Sequence, residues 1–117
     1  MIGPFSDVKV YLSLGATDMR KAINGLSLMV ERQMELSPFA GHLFVFCNRR
    51  RNIVKVLYWD RNGFCLWQKC LEQERFRWPE SESEVLEIGQ RELQWLLSGL
   101  SLAQREAHKS LHYSTVF

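Results

Sequence analysis

The chain has 117 residues, 46% of them hydrophobic and 24% charged, which suits one soluble globular domain with a sizeable core and leaves no room for a second. No apolar run approaches the ~18 residues of a membrane span, and the opening Met1-Ile2-Gly3-Pro4 lacks the basic-then-apolar layout of a signal peptide. The three cysteines, Cys47, Cys65 and Cys70, form no Cys-x-x-Cys pair, so a reducing cytoplasm is expected rather than a secreted disulfide scaffold. The net charge of +2 is unevenly spread, with residues 1–71 basic and residues 72–117 acidic. A basic body beside an acidic C-terminal third suits a surface that meets a polyanion on one side, and equally suits charge scattered over a solvated surface.

In chain order, Val8-Lys9-Val10-Tyr11-Leu12 alternates as a short strand, and Gly15-Ala16-Thr17-Asp18 ends it. Thr17 or Asp18 is expected to cap a helix that begins at Met19, because either side-chain oxygen can take a free N–H of the first turn. Met19, Ala22, Ile23, Leu26, Met29, Val30 and Met34 recur at helical spacing on one face, and Ser37-Pro38 stops the helix. Gly25 within it is read as a place where a neighbouring backbone can approach.

Strand patterns follow. Leu43–Cys47, Ile53–Trp59 and Phe64–Leu71 are apolar runs separated by a polar turn at Asn48–Asn52 and a hairpin turn at Asp60–Gly63. Arg75-Phe76-Arg77-Trp78 alternates again before Pro79. A second helix is expected over Gln90–Ser98, with Gly99 as its C-cap. The order predicts an α+β domain over residues 1–102, an antiparallel meander of four to five strands packed against one amphipathic helix, with a second C-terminal helix. Residues 103–117 read as a variable, partly disordered tail. Both faces of the meander are apolar, so the second face needs the C-terminal helix or a partner chain.

Residues with catalytic potential do not form a recognisable set. His108 and His112 are four apart, but a zinc finger also needs two thiolates from a compact turn, and Cys65 and Cys70 fall on opposite faces of one strand. No metal and no cofactor are expected. Asp7, Asp18 and Asp60 sit at strand ends and turns, where aspartate shapes the backbone. An acidic metal site built from them remains the enzymatic alternative. No phosphate-loop, dinucleotide or nucleophile-elbow motif occurs.

The cations are more informative. Arg20 and Lys21 fall in the expected first helical turn, where the helix dipole disfavours them unless an anion joins them. Arg49, Arg50 and Arg51 crowd one hairpin tip, with Lys55 on the following strand and Arg61 at its opposite end. Adjacent arginines repel one another, and phosphate offsets that repulsion. These seven are the candidate nucleic-acid contacts. Tyr58, Trp67, Phe76 and Trp78 are the candidate partner-binding aromatics on the surplus sheet face.

Several ordered blocks together resemble one family. They are Gly15-Ala16-Thr17-Asp18-Met19-Arg20-Lys21, Asn24-Gly25-Leu26, Pro38-Phe39 with Gly41-His42-Leu43-Phe44-Val45-Phe46, and Arg49-Arg50 with Ile53 through Asp60. Gly63-Phe64-Cys65-Leu66-Trp67, Phe76-x-Trp78-Pro79 and Leu93-x-x-Leu96-Leu97-x-Gly99 complete the set. The chain resembles, over roughly residues 8–100, the small TnpB-type accessory protein of the second reading frame in the IS66 group of bacterial insertion sequences. This is not the RNA-guided nuclease that shares the TnpB name. The resemblance implies a protein that assists transposition beside a separate transposase, with no catalytic motif to carry across. Ala22 stands where the family often has glycine, and the tail after Leu100 diverges, so nothing carries over to His108 or His112.

Two functional readings follow. In the first, the protein is a non-catalytic accessory factor that binds DNA at the element ends, or the transposase–DNA complex, through its basic turns. In the second, it is an adaptor or dimerising module that uses an apolar sheet face to hold the transposase or a second copy of itself.

Overall fold

A computed structural model describes residues 7–100. The tail and its histidines lie outside the described residues. Five strands and two helices follow in the order β1 (Val10–Ala16), α1 (Ile23–Arg32), β2 (Leu43–Cys47), β3 (Ile53–Asp60), β4 (Gly63–Cys70), β5 (Val85–Ile88) and α2 (Gln90–Leu97). They build one open sheet with the spatial order β4-β3-β2-β1-β5. The α+β class holds, and β2, β3 and β4 form the expected antiparallel meander, with Val45 opposite Val56 and Val56 opposite Trp67.

The first strand departs from expectation. It is displaced toward the C-terminus, at Val10–Ala16, and it pairs parallel with β2, Val10 opposite Leu43 and Leu12 opposite Val45. The sheet is therefore mixed. A strand followed by a crossover helix returns in the same direction, and α1 is that crossover. The β1–β2 register is interrupted between Leu12 and Ala16, and on its other edge β1 pairs antiparallel with β5, Tyr11 opposite Glu87. β5 was not foreseen, because four residues behind an acidic, serine-rich loop carry little periodic signal.

α1 is shorter than its pattern suggested. It begins at Ile23, and its N-cap, Ala22, is extended and supplies no side-chain bond, so neither Thr17 nor Asp18 caps it. Three competing bonds explain the late start. The Asp18 carboxylate accepts the Arg20 backbone N–H at 2.9 Å and fixes a turn. The Lys55 ammonium then donates to the carbonyls of Met19 and Lys21, at 2.8 and 2.9 Å, outside any helix. At the other end Met34 N–H reaches Met29 C=O, and Glu35 takes φ 56°, closing the helix before Pro38. The apolar stripe is otherwise as read: Leu26, Met29, Val30 and Met34 are buried, with Met19 and Ile23 packed beside them, while Ala22 is exposed. A Cβ on Gly25 would lie 3.3 Å from the Lys21 side chain, so the close neighbour is a lysine stem rather than a backbone.

The sheet carries a core on each face. α1 packs over Phe44, Phe46 and Leu57. The opposite face, with Val10, Leu12, Val45, Val54 and Val56, is covered by Phe76, Trp78, Leu93 and Leu96. Full burial of side chains this size contributes about 1.5–3 kcal/mol each before entropy is counted. Arg75–Trp78 alternates as read, rings inward and cations exposed, yet forms no strand. It crosses the sheet as a strap, held by Phe76 N–H on Arg51 C=O at 2.7 Å and by the Trp78 indole N–H on Ser13 C=O at 3.1 Å. α2 is fastened by the Lys69 ammonium on Leu97 C=O at 2.9 Å, a cation at a helix C-terminus, and Gly99 follows at φ 88°. The chain itself thus occupies the second apolar face.

Candidate nucleic-acid interface

β1 and β2 run parallel and end side by side, so the segments leaving them diverge and open a groove between. It has a volume of about 470 Å³ and is lined by Ala16, Thr17, Asp18, Met19, Asn48, Arg49 and Arg50. One wall is the 17–22 turn and the other is the β2–β3 hairpin tip.

Asn48 builds the tip. Its side-chain oxygen accepts the N–H groups of Asn52 and Ile53, each at 3.0 Å, and its amide donates to the Asn52 side chain at 2.7 Å. Asparagine four residues before asparagine was the signal for this role, since Asn side chains bond their own local backbone in turns. Arg51 sits at φ 61°, left-handed, and this separates it from its two neighbours. Its guanidinium runs inward to Asn48 C=O (3.4 Å) and Leu14 C=O (3.5 Å), with its carbon 5.9 Å from the centre of the Trp78 ring. Arg49 and Arg50 stay exposed at the groove, and neither has a carboxylate partner among the described residues.

The other wall carries Arg20 and Lys21, which precede the helix rather than occupy its first turn. Arg20 chelates Asp18: its Nε lies 3.1 and 3.0 Å from the two carboxylate oxygens, and a terminal nitrogen lies 2.6 Å from the second. That hydrogen bonding holds the Asp18 carboxyl down at about 2. The groove's one lining carboxylate is thereby already engaged, leaving Arg49 and Arg50 without an acidic partner among the described residues. Below them Thr17 is buried, and its hydroxyl has no hydrogen-bond partner among the described residues.

The seven sequence candidates thus divide. Arg49 and Arg50 line the groove, whereas Arg20 and Lys21 follow its lining residues Asp18 and Met19 in the chain without lining it themselves. Lys55 is buried at 8% exposure, with its ammonium committed to Met19 and Lys21, so it supports the wall and offers no charge to a ligand. Arg51 is a bracket between tip, β1 and strap. Arg61, in the β3–β4 turn, lies at the far end of an eight-residue strand, roughly 23 Å away at about 3.3 Å per residue. Asp60 closes the same far end of β3, away from the tip that faces Asp18, and no group of three metal-ligating side chains gathers among the described residues.

Of the partner-binding aromatics, Phe76 and Trp78 are core residues, 2% and 7% exposed, and Tyr58 and Trp67 pack against the same cluster. Burial pushes the Tyr58 phenol up. The exposed aromatic surface lies elsewhere: Phe39, 57% exposed, meets Trp59 and Phe64 with ring centres 5.1 and 5.3 Å away. Sequence reasoning missed Phe39 because a ring in an irregular loop has no period to assign it to a face.

A small mixed sheet is covered on both faces by its own chain and bears a groove lined by two arginines. The chain belongs to the IS66 Orf2-like family, whose characteristic pattern matches residues 8–107. It is 38% identical over 100 residues to the uncharacterized protein y4hO of Sinorhizobium fredii (strain NBRC 101917 / NGR234), covering 86% of this chain and 87% of that one. It is 31% identical to y4jC of the same organism, covering 86% of each. No solved structure matches. Membership makes the protein an insertion-sequence accessory protein of transposition, a family without evidence of catalytic activity.

Proposed function

We propose that this protein is a non-catalytic, cytoplasmic accessory factor that grips the DNA backbone at the element ends, alongside the transposase, through the groove between the 17–22 turn and the β2–β3 tip. The observation that carries the reading is the pair Arg49 and Arg50, exposed over a groove whose lining carboxylate is already chelated by Arg20. Guanidinium groups without a carboxylate partner bind phosphate oxygens bidentately, and each phosphate neutralised releases condensed counterions. Contacts of this kind position a protein on DNA without reading its sequence. No cofactor takes part.

The experiment is binding of the purified protein to duplex element ends across a salt series, beside Arg49→Ala/Arg50→Ala. The double variant should bind more weakly at every sequence, with a salt slope flatter by up to ~1.8, at ~0.9 per lost duplex contact. A second reading, adaptor to the transposase, is favoured by the exposed Phe39 beside Trp59 and Phe64, since aromatic anchors dominate binding energy at protein interfaces. Loss of transposase binding on Phe39→Ser, with DNA binding intact, would select it.

A further inference from the structure

The sheet ends on one side at β4, an eight-residue strand whose one strand neighbour is β3. Asn48 N–H donates to Ile53 C=O, so Ile53, Lys55 and Leu57 turn their backbone groups toward β2. The alternate residues of β3 therefore bond to β4, through Cys65, Trp67 and Lys69, and Leu71 N–H continues the ladder onto Asn52 C=O at 2.8 Å. Phe64, Leu66, Gln68 and Cys70 turn their N–H and C=O groups outward, and no described backbone bond takes them. Edge strands of this length are ordinarily blunted by proline, a bulge or outward charge. β4 has no proline, and its register to β3 is unbroken from Gly63 to Cys70. Its single charge, Lys69, is committed to α2.

We propose that β4 is a dimerisation edge that pairs antiparallel with β4 of a second copy of this chain, joining the two sheets. Two features select a second copy over a foreign strand. The outward residues are symmetric about Trp67, the centre of the laddered stretch from Gly63 to Leu71. A two-fold axis at Trp67 therefore sets Phe64 opposite Cys70 and Leu66 opposite Gln68 of the second copy, matching every outward donor with an acceptor. The flanks are also complementary in charge. The same register sets exposed Arg61, ahead of β4, across from Gln73 of the second copy, between exposed Glu72 and Glu74. Within one chain Arg61 and Glu72 flank opposite ends of β4, whose eight residues alone span roughly 23 Å at about 3.3 Å per residue, so a second copy is what brings them together.

The test is the mass of the purified full chain in solution over a concentration series, by sedimentation and light scattering. The wild type should pass from monomer to dimer. Gln68→Pro deletes an outward N–H at an exposed position and leaves the β3 ladder intact, so it should abolish the dimer while the monomer keeps its far-ultraviolet spectrum. Arg61→Glu should raise the dimer dissociation constant at least about fivefold, and Glu72→Arg added to it should restore dimerisation to within about twofold. This charge exchange decides the matter should the proline variant fail to fold. A wild type that stays monomeric overturns the proposal, whether residues 101–117 or nothing covers the edge. A dimer that survives in well-folded Gln68→Pro, or charge variants that change nothing, overturns it too.

Discussion

The Lys55 ammonium on β3 lies 2.8 Å from the backbone carbonyl of Met19, joining residues 36 apart in sequence. It also takes Lys21 C=O, and the two bonds convert a stretch with helical periodicity into the wall of the basic groove. Lys55→Met keeps the aliphatic bulk and leaves two carbonyls without this donor. Bonds from a charged donor are worth about 1.5–3 kcal/mol, so a loss of about 2–3 kcal/mol is expected in urea unfolding. The salt slope of DNA binding should not change, because this ammonium meets protein carbonyls.

Arg51 holds φ 61°, a conformation that costs a side-chain-bearing residue about 1–2 kcal/mol, and its guanidinium reaches Leu14 and Trp78. Arg51→Ala should therefore be destabilised by about 1–2 kcal/mol, and Arg51→Gly should be the more stable of the two by about 1 kcal/mol. Denaturant midpoints of both variants check the order.

Thr17 is 4% exposed and its hydroxyl is unsatisfied among the described residues. Thr17→Val keeps the shape and removes the buried hydroxyl, so stability should rise by about 1–2 kcal/mol. A fall in stability, read from the thermal midpoint, would mean that the hydroxyl has a partner.

The Asp18 carboxyl stands at about 2 in the folded chain against an ordinary 3.8, chiefly through its side-chain bonds to Arg20. A depressed carboxyl stabilises the fold above its unfolded value and ceases to do so as pH falls from about 4 toward 2. Arg20→Ala should return the Asp18 titration toward 3.8, read by carbon-13 chemical shifts. It should also remove Asp18's share of the acid limb of the stability curve.

Which parts of this architecture were legible follows from the range of the forces that made them. The two-residue alternation of β2, β3 and β4, their turns at Asn48–Asn52 and Asp60–Gly63, and the buried stripe of α1 arise from neighbours within a few residues. The start of α1 does not. Besides the local turn that Asp18 makes with the Arg20 N–H, it depends on Lys55, far along the chain, which no capping signal at Thr17 and Asp18 reveals. The parallel pairing of β1 depends likewise on where the crossover helix sends the chain. Three consecutive arginines look equivalent in a sequence. A single left-handed residue turned Arg51 toward Leu14 and Trp78 and left Arg49 and Arg50 at the groove.

The salt dependence of DNA binding in Arg49→Ala/Arg50→Ala tests the central claim most directly. The account predicts weaker binding to every duplex sequence, a slope of log affinity against log salt flatter by up to ~1.8, and wild-type stability, since both side chains are exposed. Unchanged affinity and unchanged slope in a folded double variant would contradict it.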